Sequence, residues 1–317
     1  MEHSSPSGKN TGNRATNSRL FAGVAVLVAL PTYLALGARW WWGFDLATHF
    51  CAFYLLALLP IAVFLSLSKR WLLLALVSVA LAINGSRLAP LYFRENATQD
   101  APSLRIASIN VLYGNSQYER VLDFIRQESP DLVLLIEVNK RWLPAVATLK
   151  SRFPYSLVKI RAGSSGIALF SKSPLEDLEI LYLGSAGVPS IRATVRLDGT
   201  PVKIIGTHFK SPVSSERTRL RNEQLIATAH ELARMSRPCL LVGDLNITPW
   251  SPYFRDLLQI GKLRNSQIGF GIQPSWLAAI PIDHLLHSAD ISILDRRIGP
   301  DVGSDHRPLI VDIAVKK

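Results

Sequence analysis

The chain reads as an α/β domain carried behind three transmembrane helices. Three features lead there. From residue 104 onward, aliphatic runs of strand length alternate with helical spacings. Ahead of them lie three apolar stretches, each about long enough to cross a bilayer. Of the 317 residues 48% are hydrophobic, and mean hydropathy is +0.20, which is high for a chain without membrane segments.

Residues 1–19 are rich in Ser, Asn, Gly and Thr and carry Lys9, Arg14 and Arg19, so they read as a disordered basic tail. Residues 20–92 form the expected membrane domain. Leu20 to Ala38 holds no charge, with Pro31 inside it. The second stretch, Phe44 to Leu67, is interrupted only by Asp45 and His49, and the third runs from Trp71 to about Ala89. Two further stretches after the first argue against a cleaved signal peptide. Lys and Arg in the tail and at Lys69-Arg70 place the N-terminus and the second connection in the cytoplasm. Everything after the third span then lies outside, although Arg87 and Arg94 oppose that orientation. Trp40, Trp41 and Trp42 read as an interfacial belt. Asp45 and His49, one helical turn apart, read as headgroup-region residues, with an intramembrane pair as the rarer alternative. Residues 93–103 are polar and read as a linker to the α/β domain, 104–317.

The net charge of +11 favours anionic partners such as phosphates, acidic lipids or nucleic acid, without choosing among them. Cys51 and Cys239 are the only cysteines. Two unspaced cysteines suggest neither a zinc site nor a disulfide framework, and both read as small buried apolar residues.

In the α/β domain, residues 104–111 form the first strand, with Asn110 near its end. Tyr118 to Glu128 has helical spacing and stops at Ser129-Pro130-Asp131. Leu132 to Ile136 is a buried strand that runs into Glu137, an unusual end for a core strand unless the carboxylate has a partner. Trp142 to Lys150 reads as a helix. Gly163 to Ser171 is a small-residue turn leading into a strand, and its spacing matches no phosphate-loop fingerprint. Two strands, 191–197 and 202–206, flank an Asp198-Gly199 hairpin turn, and the second leads to His208. Ser215 to Met235 is a long charged helix.

Leu240-Leu241-Val242-Gly243-Asp244-Leu245-Asn246 is the central stretch. A buried strand stops at a glycine and presents Asp244 and Asn246, which share a side if the chain stays extended. An Asx-type turn, in which both only cap the backbone, is the alternative. A stiff aromatic loop follows from Thr248 to Phe254. A short strand then carries Asp283, and Asp305-His306 sits before Pro308 and a terminal strand. Asn110, Glu137, His208, Asp244, Asn246, Asp283, Asp305 and His306 thus gather at strand ends of one domain. Carboxylates, amides and histidines in that position suit a hydrolytic metal site.

In Gly243-Asp244-Leu245-Asn246 and Ser304-Asp305-His306-Arg307-Pro308 the chain resembles the endonuclease/exonuclease/phosphatase (DNase I-like) superfamily. Glu137, the 166–171 strand, Thr207-His208 and Ile282-Asp283-His284 fall in the expected order. The three spans, and Asn246-Ile247-Thr248-Pro249-Trp250-Ser251, are similar to a membrane-anchored bacterial branch that includes a teicoplanin-resistance membrane protein. The resemblance implies a four-layer α/β/β/α sandwich and a Mg²⁺ (or Mn²⁺) ion held mainly by Glu137, helped by Asn110 and Asp305. It implies that Asp244 and Asn246 orient water and phosphate. It gives His306, steered by Asp283, to the phosphoryl oxygen or to proton transfer, and His208 to the phosphate. The expected activity is membrane-anchored phosphoesterase, on a phosphodiester or a polyprenyl or other lipid-linked pyrophosphate. A surface nuclease acting on nucleic acid is the alternative, and no obligate protein partner is implied. Leu112 and Tyr113 stand where some members carry a further acid, and no carboxylate partner for His208 is evident.

Overall fold

The computed structural model describes residues 10–93, 102–277 and 279–316. The chain divides into two compact units, Met1–Ala89 and Pro90–Lys317.

The first unit holds α1 (Asn10–Leu34), α2 (Trp42–Thr48), α3 (Cys51–Leu67) and α4 (Trp71–Leu88). The expected tail is corrected from Asn10 onward, where α1 has already begun. Extending a formed helix adds a hydrogen bond for each residue fixed, so the apolar segment carries helix into its flank. Residues 1–9 lie outside the described residues. Two segments, Leu20–Gly37 and Trp71–Tyr92, are helical, long and apolar enough to cross a membrane. The second predicted span is a pair, α2 and α3, bent by 68°. Side chains at the break take the backbone acceptors of the last turn: Thr48 Oγ1 donates to the Asp45 carbonyl at 2.6 Å, and Cys51 Sγ to the Thr48 carbonyl at 3.1 Å. Asp45 and His49 are buried within this unit rather than turned outward. Small residues Ala25, Ala29 and Ala80 let the helices approach around Leu58, Leu65 and Val77. Of the expected linker, residues 94–101 lie outside the described residues.

The second unit runs β1 (Leu104–Asn110), α5 (Tyr118–Glu128), β2 (Leu132–Ile136), α6 (Leu143–Leu149), β3 (Tyr155–Lys159), β4 (Ile167–Ser171), β5 (Leu175–Tyr182), β6 (Pro189–Leu197), β7 (Thr200–His208), α7 (Ser215–Arg234), β8 (Cys239–Asp244), α8 (Pro252–Gly261), β9 (Arg264–Asn265), β10 (Asp283–His287), β11 (Ile291–Ile298) and β12 (Leu309–Val315). One difference from expectation is α8. It starts inside the aromatic loop because Ser251 caps Tyr253 N and Pro252 presets the first turn.

Two mixed six-stranded sheets form, in the orders β11-β12-β1-β2-β4-β3 and β5-β6-β7-β8-β10-β9. Strand periodicity sets the layers. On β2, Leu132, Leu134 and Ile136 face the second sheet, while Val133 and Leu135 pack with residues of α5 and α6. On β8, Leu240 and Val242 face the first sheet, while Cys239 and Leu241 pack with α7 and α8. Helix, sheet, sheet and helix therefore stack around three apolar layers.

Each sheet has one parallel pair near its centre, β1 with β2 and β7 with β8. The first pair ends at Asn110 and next to Glu137, the second at His208 and Asp244. Antiparallel β10 begins at Asp283, paired opposite Asp244. Antiparallel β12 pairs Leu309 with Ser108, so residues 305–308 precede it beside the end of β1. The starts of antiparallel strands and the ends of parallel ones therefore meet at one edge of the sandwich. Gly243 permits the approach there: it has φ +143, and a Cβ on it would lie 1.9 Å from the Thr207 carbonyl oxygen.

Candidate active site

All eight residues expected from the sequence lie at that shared edge. Six of them, Glu137, His208, Asp244, Asn246, Asp305 and His306, line one cavity of ≈ 240 Å³ with Ser164, Ser165, Lys210, Arg217 and Trp276. Asn110 and Asp283 stand behind it and hold its lining by hydrogen bonds.

Asn110 ties the sheets together. Its Nδ2 donates to Glu137 Oε1 at 3.2 Å and to Asp244 Oδ2 at 3.1 Å. Its Oδ1 accepts Leu112 N at 3.1 Å, which fixes which end of the amide faces the carboxylates. Glu137 also accepts Tyr113 N, on Oε2, at 3.1 Å. A backbone N–H thus stands where some family members carry a further acid. Glu137 has φ +67, and its N and Val138 N both donate to the Gly166 carbonyl, at 2.8 and 3.2 Å. Left-handed backbone at a non-glycine costs about 1–2 kcal/mol and persists only where surrounding bonds fix it. Burial raises the Glu137 carboxyl, against the Tyr113 and Asn110 donors that lower it.

Asn246 reaches the cavity by another route than the extended chain expected for it. The strand stops at Asp244, and Asn246 has φ +49. Its N–H donates to Asp244 Oδ1 at 2.9 Å, so the Asx turn is real. Its Nδ2 donates to the Phe209 carbonyl at 2.9 Å, and buried Arg221 donates to its carbonyl at 3.2 Å. Capping and convergence on the cavity are two consequences of the same turn.

His306 Nδ1 and Asp283 Oδ2 are 2.8 Å apart, both buried. Asp283 N and Ile282 N donate to Ser275 Oγ at 3.1 and 3.2 Å, and Ser304 Oγ caps His306 N at 3.1 Å. Ser304 Oγ itself donates to the Asn110 carbonyl at 2.7 Å, which ties this turn to β1. Burial opposes charge on His306, but Asp283 and Asp244 outweigh it and raise its pKa above the ordinary value. Asp283 is lowered, the burial penalty being overcome by His306. The pair is therefore imidazolium and carboxylate at neutral pH.

His208 Nδ1 donates to the Ser164 carbonyl at 3.1 Å, which leaves Nε2 facing Asp244 Oδ2 at 3.4 Å. A backbone carbonyl does the orienting that a carboxylate was sought for. The Gly163–Ser165 turn, read from sequence as structural, thus belongs to the site. Burial lowers the His208 pKa and raises Asp244 to about 6, so the imidazole is neutral beside a carboxylate that is ready to take up a proton. Trp276, another residue that the sequence did not single out, donates Nε1 to Asp305 Oδ2 at 3.1 Å.

Asp305 Oδ1 is buried with no hydrogen-bond partner among the described residues, and the Asp305 charge raises Glu137. A buried carboxylate beside a second one with a buried, unpartnered oxygen fits a hard divalent cation with oxygen ligands. Asp244, Asp283 and His306 also bring ligand atoms within 4.8 Å of one another. There, however, the His306 imidazole is already bonded to Asp283 Oδ2, although Asp283 Oδ1 has no hydrogen-bond partner among the described residues. On the cavity wall Glu137 and Asp305 are the residues that would hold a metal, whereas Asn110, expected to help them, turns its Nδ2 to the carboxylates and its Oδ1 to Leu112 N.

A model of the endonuclease/exonuclease/phosphatase family matches residues 107–306, well over half of the chain. The chain belongs to that family. Its members hydrolyse phosphoester bonds and generally depend on a divalent metal, so this chain is a phosphoester-hydrolysing enzyme with a buried acidic and histidine cluster. Among solved structures it is similar to an endonuclease/exonuclease/phosphatase from Beutenbergia cavernae DSM 12333, with 19% identity and TM-score 0.56, over 68% of this chain and 72% of that one. TDP2 of D. rerio complexed with a single-strand DNA product matches at 14% identity and TM-score 0.58, over 67% and 99%. Sphingomyelinase C from Streptomyces griseocarneus matches at 19% and 0.51, over 67% and 99%. At these identities the likeness is one of fold. No curated protein matches the chain.

Proposed function

We propose that the chain is a membrane-anchored phosphoesterase, dependent on Mg²⁺ or Mn²⁺, that hydrolyses a phosphodiester or pyrophosphate. Its catalytic unit faces outside the cytoplasm, and its substrate is a lipid-linked phosphate. The observation that carries the chemistry is the His306–Asp283 pair facing Asp244, with Glu137 and Asp305 on the same cavity. The lipid link rests on the two apolar helices, which would keep substrate and enzyme at one headgroup plane. The orientation rests on the flanking lysines and arginines.

Glu137 and Asp305 would hold the metal, which when bound would neutralise phosphoryl charge and lower the pKa of water. Asn110 keeps the Glu137 and Asp244 carboxylates at fixed separation. Asp244, ionised above about pH 6 and backed by His208, takes the proton of the attacking water. Asn246 Nδ2 spends one N–H on the Phe209 carbonyl and offers the other to a phosphoryl oxygen. His306 Nε2, 3.7 Å from Asp244 Oδ2, donates its proton where negative charge grows, with Asp283 holding the ring in place. Burial removes water that would weaken each contact.

The test is phosphate release by the full-length protein in detergent with Mg²⁺ or Mn²⁺. Polyprenyl pyrophosphate and plasmid DNA are offered in parallel, with Glu137→Ala and His306→Ala as controls. Metal-dependent release from the lipid, lost in both variants, is the expected result. DNA cleavage with an inert lipid would make the enzyme a nuclease and refute the lipid assignment.

A further inference from the structure

Lys210, Arg217 and Arg161 gather on one side of the cavity. Lys210 and Arg217 line it together with Glu137, Asp244 and His306. Arg161 is fixed alongside: its Nη1 donates to the Gly187 carbonyl at 2.8 Å, next to Val188 of the lining. Separate segments bring them together, the chain before β4, the end of β7 and the first turn of α7.

Several other cations of this unit have acids beside them. Arg105 pairs with Asp312, Arg192 with Glu231, Arg196 with Glu176 and Arg219 with Glu216. Among the described residues none of the three at the cavity forms an ion pair, and the Lys210 ammonium makes no hydrogen bond. Arg217 donates to Ser211 O and Oγ at 3.2 and 2.8 Å, which orients the guanidinium and leaves its charge uncompensated. Partial burial, then Arg217 and Arg161, pull the Lys210 pKa below its ordinary value. Like charges held together without a counter-ion cost free energy that a bound anion would recover.

The reacting phosphate is already provided for by Glu137, Asp305, Asn246 and His306. Lys210 and Arg217 share its compartment, of ≈ 240 Å³, and Arg161 is close enough to act on the Lys210 charge. An anion they hold is therefore close to the reacting group. We propose that Lys210, Arg217 and Arg161 form a subsite for a second phosphate joined directly to the reacting one, so that the substrate is a diphosphate ester rather than a phosphodiester. This rests on the phosphoesterase reading above. The water oxygen bonds to the reacting phosphorus, and one water proton passes to the Asp244–His208 pair. The bridging P–O bond breaks, and its electron pair leaves on the second phosphate, whose charge the cations accept. A lipid diphosphate and a soluble one share this chemistry.

The full-length protein in detergent with Mg²⁺ is assayed on bis(p-nitrophenyl) phosphate, on adenosine diphosphate in solution and on farnesyl diphosphate in micelles. Hydrolysis of the bis-ester, lost in Glu137→Ala, tests the phosphoesterase reading alone. In Lys210→Ala and Arg217→Ala the ratio of kcat/KM for diphosphate over bis-ester is expected to fall about tenfold each, the loss of one charge-assisted contact. Arg196→Ala, at an exposed ion pair, keeps the wild-type ratio. A fall in either diphosphate arm supports the subsite, and the diphosphate turned over identifies the source. Equal losses on bis-ester and diphosphate overturn the proposal. Calorimetric titration with inorganic pyrophosphate and with orthophosphate reads the subsite without turnover. Tighter pyrophosphate binding that weakens in both variants supports it, and equal affinity for the two anions overturns it.

Discussion

Replacing His284 by Gln is expected to remove an acid sensitivity from the catalytic unit. His284 is fully buried on β10, its ring 4.8 Å from that of Phe254, and Nε2 donates to the Ile247 carbonyl at 2.8 Å. Burial, the largest effect, brings its pKa from 6.5 down to about 4. Between those values the unfolded chain takes up a proton that the folded chain refuses. The stabilisation is therefore complete above pH 6.5 and drains away as pH falls towards 4. At about 1.36 kcal/mol per pH unit, the loss reaches about 3 kcal/mol at pH 4. Glu137 and Asp244 act with the opposite sign, since burial raises their carboxyls and a folded chain that binds protons more readily gains stability in acid. Both carboxylates remain in His284→Gln, so the difference between the two proteins isolates the histidine. The assay is urea unfolding of the detergent-solubilised chain in EDTA, at pH 7 and pH 4.5. Wild type should lose about 2–3 kcal/mol more than the variant over that interval. Equal losses would refute the reasoning, because the imidazole would then titrate alike in both states.

Asp283→Asn keeps the size of the side chain but removes the charge that holds His306 as an oriented imidazolium. It should lower kcat by roughly 10²–10⁴ with KM little changed; a raised KM at full kcat in steady-state kinetics would contradict that role. Asn110→Ala removes both donors shared by Glu137 and Asp244, two buried charge-assisted bonds, and should cost about 2–4 kcal/mol in urea unfolding. Stability within experimental error of wild type would mean that the carboxylates are solvated after all. Gly243→Ala places a methyl 1.9 Å from the Thr207 carbonyl oxygen in a left-handed backbone. It should cost more than about 3 kcal/mol, read as a lowered melting temperature, and an unshifted melt would show that β7 can move aside.

What the sequence revealed follows burial. β1, β2, β4, β6, β7, β8, β10 and β12 were legible as aliphatic runs, because interior strands are covered on both faces. The four strands it did not reveal, β3, β5, β9 and β11, are the four sheet edges. On β5 the exposed charges Glu176 and Asp177 break the alternation, and its register with β6 shifts between Glu176 and Glu179. In the site, Glu137 and Asp244 stood out as acids that end apolar runs. Ser164 could not stand out, since it acts through a carbonyl that every residue has. Trp276 and Ser275 lie between β9 and β10, a stretch without strand or helix periodicity to place it. Asn246 is aimed at the cavity by a left-handed turn and not by the extended chain that its spacing from Asp244 suggests.

The two halves of the site come from different sheets, and this makes the sandwich core part of the catalytic apparatus. Glu137 directly follows β2 of the first sheet and Asp244 ends β8 of the second, while the Asn110 amide donates to both at 3.2 and 3.1 Å. Those lengths survive only if the sheets keep their separation, and side chains of the inner layer set it. Leu134 of β2 meets Gly206 of β7 so closely that a Cβ there would lie 2.6 Å from Leu134 Cδ1. A glycine at this contact lets the parallel pairs approach just below their ends. Packed interiors resist compression, so this contact fixes how near the carboxylates can come. Asn110 then limits how far they can part. A hydrolytic site that needs acids on opposing walls is in this way held by an inner layer that touches no substrate.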